Sequence, residues 1–232
     1  VSGKSELRRK PERSVAETAE RDAVLDEGLI AHVGLVAGGG GDGRGGGDGR
    51  GGDGDGAHPV VIPMLCARLG DRLLLHGSPA SRLLRTAKGG VEVCVTVTLL
   101  DGLVLARSAF HHSMNYRSVV VFGTASEVTD PEEKVVALDR LTDHIVPGRM
   151  AAIRPHTDAE IRGTTVLSLP LDEWSMKVRT GPPIDDDEDM DAPAWAGVLP
   201  LGVRVDEPVP DPLMSEREVP SHVADWIRGR QG

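Results

Sequence analysis

The amino-acid sequence predicts a mainly β protein, a β-barrel with peripheral helices, and three observations predict it. About six apolar runs are bounded by Gly, Pro and Asp, the residues of turns. Several alternate with period two, as Val95, Val97 and Leu99 do around Thr96 and Thr98. Helix signals are few and short. A sheet of this size removes its exposed edges by closing on itself, so a barrel is the expected outcome.

In chain order, residues 1–20 read as a polar arm running into a short helix, which RDAVLDEGLI (21–30) completes. Ala31–Ala37 is the first strand. The stretch 38–56 holds only Gly, Asp and Arg; it has no apolar surface to bury and is expected to be a disordered loop. A calcium-binding Gly-Asp repeat would need an apolar residue on each turn, and that residue is missing. Apolar runs on both sides of Gly70-Asp71 predict a hairpin, and Asp101-Gly102 marks a second candidate. Between them, Ser78 as N-cap and Pro79 at the first helical position predict a helix that Gly89-Gly90 ends. NYRSVVVFGTASEV (115–128) is a long strand, and Asp130-Pro131 opens a helix reaching about Ile145 with one apolar side. Thr157 and Glu160 have capping-box spacing. Residues 164–179 supply the last strand or strand pair, and the acidic, proline-rich remainder is expected to lack regular structure. The organisation is an arm (1–20), a barrel domain (21–180) and an acidic, proline-rich C-terminal extension (181–232).

Composition narrows the function. A net charge of −10 argues against sequence-independent nucleic-acid binding. No apolar run approaches the roughly 20 residues that span a bilayer, and no signal peptide opens the chain, so a soluble cytoplasmic protein is expected. Cys66 and Cys94 each sit in an apolar run and read as reduced core residues. Neither a nucleophile elbow, nor paired catalytic carboxylates, nor a Walker-type loop is present. The acidic run 185–189 reads as solvated rather than as a metal cage, and no metal is expected. If the protein is an enzyme, the hard chemistry therefore falls to a cofactor.

The most informative local feature is His76-Gly77-Ser78-Pro79-Ala80-Ser81-Arg82, where a strand ends, turns at a glycine and enters a helix. Helix-initial N–H groups, two hydroxyls and a guanidinium suit a phosphate. An ordinary capped helix with a solvated arginine accounts for the same residues. A second polar cluster, His111 to Arg117, joins two apolar strands. Adjacent histidines on a strand point to opposite faces, so a hairpin loop is a better reading than a metal site. Lys177 and Arg179 can aid an anionic ligand, although basic residues near a strand end are usually solvated.

PVVIPM, GDRLLLHGSPASRLLR, VCVTVTLLDGLVLARSAFHHSMNYRSVVVFG and KVRTGPP together resemble the flavin-binding split-barrel proteins of the pyridoxamine 5'-phosphate oxidase type, and among them a nitroimidazole-reductase-like branch. The resemblance runs over about residues 8–202, leaving out the glycine-rich stretch and the last 30 or so residues. It implies FMN in a cleft between the two barrels of a homodimer, with Val61, Ile62, Pro63 and Met64 along the ring. His76, Gly77, Ser78, Ser81 and Arg82 would form the turn that holds the phosphate. Many relatives carry lysine where Arg82 stands; arginine keeps the charge and adds a bidentate fork. His76 would lie close to the flavin and serve as the catalytic proton donor. Asn115, Tyr116 and Arg117 would border the cleft. Trp195, an aromatic wall with a donor, suits the cofactor's ring, although packing the tail onto the barrel is the more frequent role for such a residue. The resemblance implies an oxidoreductase that passes electrons from reduced flavin to a small-molecule acceptor such as a nitroaromatic compound. The competing readings are a flavin-binding module without turnover and a barrel that holds haem or a deazaflavin.

Overall fold

The computed structural model describes residues 5–6, 11–37, 57–214 and 217–230. The glycine-rich stretch 38–56, expected to be disordered, lies outside the described residues, as does the side chain of Arg82. In chain order the elements are β1 (Ser14–Val15), α1 (Thr18–Glu27), β2 (Ala31–Ala37), β3 (His58–Met64), β4 (Cys66–Leu69), β5 (Arg72–Gly77) and α2 (Arg82–Lys88). There follow β6 (Glu92–Leu105), β7 (Ser113–Thr124), β8 (Ser126–Glu127), α3 (Pro131–Ile145), α4 (Asp158–Gly163), β9 (Thr165–Pro170), β10 (Glu173–Arg179), β11 (Gly197–Pro200) and α5 (Ser221–Arg228).

Two antiparallel sheets form a split barrel with peripheral helices, as the sequence predicts. The larger runs β1-β10-β7-β6-β2-β3 with β11 added beside β6, and the smaller runs β4-β5-β9-β8. The chain crosses between them at two single residues, Leu65 after β3 and Ala125 after β7. The barrel interior is packed by Leu25, Val33, Leu73, Leu75, Val95, Val121, Leu167 and Met176. A second cluster, Ala67, Leu74, Leu138, Leu141 and Val166, lies beneath α3. β5 is thus buried on both faces, Leu73 and Leu75 turning inward and Leu74 outward. Each fully buried leucine contributes about 1.5–3 kcal/mol.

Local chemistry explains the elements the sequence predicts well. Gly70 at φ 61° turns the β4–β5 hairpin. The Asp130 carboxylate accepts from the Glu133 N–H at 2.8 Å and caps α3. Thr157 and Glu160 make the reciprocal capping box of α4.

Other elements depart from expectation. Asp101-Gly102 does not turn a hairpin: β6 runs straight through it with a register shift against β7 between Leu100 and Gly102. Gly102 is buried against β11, where a Cβ would meet Leu199 O at 3.1 Å. The tail is not devoid of regular structure, since it supplies both β11 and α5. Of its prolines, Pro200 falls at the end of β11 and Pro220 just ahead of α5, where a missing N–H costs nothing. Cys66 is buried and its thiol is pushed up to about 12, but Cys94 is not a core residue. Its neighbours Val93 and Val95 take the inward positions of β6, which turns Cys94 to the outer face. Among the described residues, no helix is long and apolar enough to cross a membrane, and no cluster of three His, Cys, Asp or Glu side chains is placed to hold a metal ion.

Candidate functional site

The site is built on the end of β5. Strand alternation that sends Leu75 into the barrel sends His76 outward, on the side of Leu74 and α3. Gly77 follows because α2 closes tightly on the strand: a Cβ there would lie 2.9 Å from Leu84 Cδ1. The chain then reverses, with the Ser81 N–H donating to the Ser78 carbonyl at 2.9 Å.

This reversal corrects the expected helix start. α2 begins at Arg82, and its N-cap is Ser81 rather than Ser78. The Ser78 hydroxyl accepts from the Ala80 N–H at 3.2 Å, a local turn that holds it away from the helix, and Pro79 sits inside that turn. The Ser81 hydroxyl accepts from the Leu84 N–H at 3.4 Å. Both hydroxyls keep a proton to donate to an anion.

His76 is half-buried, and its Nδ1 is buried without a hydrogen-bond partner among the described residues. Burial holds its pKa below the ordinary histidine value, so the ring is neutral at pH 7. It lines a cavity of about 240 Å³ together with Leu65, Leu138, Leu141 and Ile145, the polar Thr142, Glu160 and Thr164, and a second imidazole, His156. The His156 Nε2 stands 3.1 Å from Asp139 Oδ1. Sequence reasoning left His156 without a role. The one available signal is its place just before the Thr157 capping box, which fixes where the residue enters the fold.

β3 is the edge strand of the larger sheet, and Pro59 and Pro63 suit an edge because neither donates to a ladder. Val61, Ile62 and Pro63 are exposed and Met64 is half-buried. Leu65, the next residue, lines the His76 cavity, so the strand and the turn are brought together.

Asn115, Tyr116 and Arg117 lie elsewhere. They sit on β7, separated from β3 by β6 and β2, three strand spacings or roughly 14 Å at about 4.8 Å each. The Arg117 guanidinium is held by Asp101 at 2.8 Å and Glu27 at 2.6 Å. Asn115 is buried, accepting from Arg179 Nη1 and donating to the Gly181 carbonyl at 3.2 Å. Arg179 is 7% exposed, not solvated as expected, because it also donates to the carbonyls of Gly181 and Pro182. Trp195 is 64% exposed, and its ring lies over Gly197 of its own segment.

The profile of the pyridoxamine 5'-phosphate oxidase family matches residues 17–178. Among solved structures, the flavocytochrome Anf3 from Azotobacter vinelandii is 36% identical, with 97% of this chain and 96% of that one aligned at a TM-score of 0.83. The FAD- and haem-binding protein from Mycobacterium smegmatis is 37% identical over 95% of this chain and 98% of that one, with a TM-score of 0.81. A putative 5-nitroimidazole antibiotic resistance protein from Bacteroides thetaiotaomicron shares the fold at 22% identity, 71% and 86% coverage and a TM-score of 0.54. No curated protein matches the chain. The agreement of a profile over most of the chain with two relatives aligned nearly end to end makes this protein a member of the pyridoxamine 5'-phosphate oxidase family.

Proposed function

We propose that the protein is a cytoplasmic flavoprotein, a homodimer that passes electrons from a reduced flavin to a small acceptor, nitroaromatic compounds being the first class to test. The observation that carries this reading is His76, a neutral imidazole with a buried, unpartnered nitrogen beside the Gly77–Ser81 turn. An unpaired buried nitrogen costs stability unless a ligand completes it. A bound flavin supplies hydride and one-electron transfer. The chain supplies the exposed backbone of Val61 to Met64 along the ring, the Ser78 and Ser81 hydroxyls toward a phosphate, and His76 to hold or deliver a proton. Two free cysteines favour a reducing compartment.

A second protomer belongs to this reading because of distance. Asn115 to Arg117 and Trp195 reach the cofactor beside β3 only if a partner copy brings them, since within one chain β3 and β7 are three strands apart. The exposed Val61 and Ile62 are the apolar surface such a partner would cover.

The two full-length relatives favour a haem as an additional group. The wall of the His76 cavity mixes leucine and isoleucine with Thr142, His156, Glu160 and Thr164, and His76 is held in the neutral form in which imidazole ligates iron. A haem there would supply one-electron exchange with the flavin.

The test is the absorption spectrum of the purified protein with the mass of whatever denaturation releases. Two broad flavin bands are expected, with a Soret band when haem is present, and His76→Ala is expected to remove the Soret band. A colourless protein that takes up neither FMN nor FAD overturns the proposal. A deazaflavin in the mass spectrum redirects it to another electron carrier on the same barrel.

A further inference from the structure

Helix α3 separates two cavities. Leu138, Leu141, Thr142 and Ile145 line that of His76, while Val135, Asp139 and Asp143, a stripe of four-residue spacing, line an outer one of about 440 Å³. His156, in the segment joining α3 to α4, is the only residue on both walls among the described residues. Its ring therefore stands where the two cavities meet.

The His156 Nε2 and the Asp139 Oδ1, 3.1 Å apart, are both buried, and neither has a hydrogen-bond partner of its own among the described residues. A bare ring nitrogen and a carboxylate oxygen repel at that distance, so a proton lies between them. The other carboxylates near the ring are engaged elsewhere. Asp143 accepts from the Met150 N–H at 2.7 Å, and Glu160 holds the Arg154 guanidinium at 2.6 Å and the Thr157 N–H at 2.8 Å. Asp139 is thus the group that balances a positive ring at His156, whereas burial keeps His76 neutral. Exposure is graded outward, 19% for the His156 side chain and 42% for Asp139, so the pair meets water on one side and the His76 cavity on the other.

The geometry points to His156, oriented by Asp139, as the acid that protonates an acceptor reduced in the His76 cavity. The proposal rests on the flavin reading above and deepens it. Reducing a nitro group to nitroso consumes one hydride and one proton, breaks one N–O bond and releases that oxygen as water. With the hydride drawn from a reduced flavin, the proton is left for the chain to supply. His156 gives it up from the imidazolium form and is recharged from water in the outer cavity, with Asp139 holding the charged ring.

The experiment takes the full chain with its bound flavin, reduces it anaerobically with dithionite and mixes it with nitrobenzene. Reoxidation in the wild type is expected to slow as pH rises. His156→Gln is expected to slow it on the order of a hundredfold at acidic pH, the low end of what general acid catalysis contributes, and to flatten the profile. Asp139→Ala, at a partly exposed helix position that alanine suits, is expected to move the falling limb to lower pH. NMR of the histidine ring nitrogens needs no turnover: the Nε2–H tautomer of His156 is expected in the wild type and lost in Asp139→Ala. A His156→Gln protein with the wild-type rate and profile overturns the proposal and leaves the flavin reading standing. So does a slower variant with an unchanged profile, which marks His156 as structural. If His156→Gln does not fold, a limb and a tautomer both unmoved in Asp139→Ala refute the proposal. A wild type that holds no flavin, or whose reduced flavin nitrobenzene does not reoxidise, overturns both.

Discussion

The Nε2–H of His144 donates to the carbonyl of Gly28 at 2.9 Å, tying the last turn of α3 to the residue that ends α1. That carbonyl closes a helix terminus, where unpaired acceptors are costly when buried. The bond therefore satisfies two elements that are far apart in sequence. Burial of the imidazole at this joint makes it sensitive to protonation.

Burial, the largest influence, holds the His144 pKa below the ordinary histidine value, and the Arg140 and Arg230 charges add to this against the opposing pull of the Gly28 carbonyl and Asp26. A base depressed by folding leaves its stabilisation intact above its unfolded pKa, about 6.5. The stabilisation is lost as pH falls from there through the folded value. Urea midpoints measured at pH 7.5 and at pH 5.5 should drop more for the wild type than for His144→Gln. Equal drops would remove His144 from the account.

Gly28→Ala should cost about 2–3 kcal/mol, near the upper end for overpacking. The backbone at Gly28 has φ −75°, so alanine meets no conformational penalty. A Cβ would, however, lie 2.3 Å from Val97 Cγ1 and 3.2 Å from the Val24 carbonyl. Val97 is 1% exposed and β-branched, so its χ1 is stiff and its surroundings are packed. Urea unfolding with an unchanged m-value is the measurement, and a loss below about 0.5 kcal/mol contradicts the packing argument.

Arg117 joins the end of α1, the bulge in β6 and the strand β7 through Glu27 and Asp101. Its partners hold the guanidinium pKa well above the ordinary value, the Asp101 bond first and the Glu27 bond second. The pairs are about a third exposed or more, so solvent screening limits their worth to about 1 kcal/mol. Arg117→Gln should lower the melting temperature by a few degrees in a thermal unfolding scan, and an unchanged melting temperature contradicts the ion-pair account. Loss of flavin at full stability would support the dimer reading, in which a partner copy brings Arg117 to the cofactor.

The Asp185 side chain is 1% exposed. It accepts from the Arg107 N–H at 2.7 Å and from the Arg107 guanidinium at 2.8 Å. Burial, the largest influence, pushes its pKa up, but the bonds from Arg107 and the Ser108 N–H outweigh it and leave the carboxyl below the usual range. A depressed carboxyl stabilises above its unfolded pKa, about 3.9, and loses that contribution as pH falls through the folded value. Protection against hydrogen exchange at pH 7 should fall in residues 105–111 and 184–191 of Asp185→Asn, and in the wild type, relative to the free-amide rate at each pH, only on acidification below pH 4. Unaltered exchange in the variant would mean the acidic segment is held by other contacts.

What was legible in the sequence follows the range of the interactions involved. The Gly70 turn, the Asp130 cap and the Thr157–Glu160 box are set by residues within four positions of one another, and each stands where the sequence puts it. The start of α2 was missed by three residues because two serines compete for nearby N–H groups, and Ser78 is satisfied first at Ala80. Asp101-Gly102 reads as a turn in isolation. The strand continues because β11, a hundred residues on, pairs across it.

By itself the sequence determined the alternating strands, the short capped helices and the His76-to-Arg82 turn, since period-two patterning and local hydrogen bonds act over a few residues. Only the tertiary structure decided what surrounds that turn. It carried His156 and the leucines of α3 over His76, gathered Arg85, Lys134 and Arg162 round one cavity, and buried Arg179 against Asn115. Those juxtapositions depend on how helices pack on the two sheets, which no local pattern encodes, because burial and charge neutralisation are properties of the assembled chain.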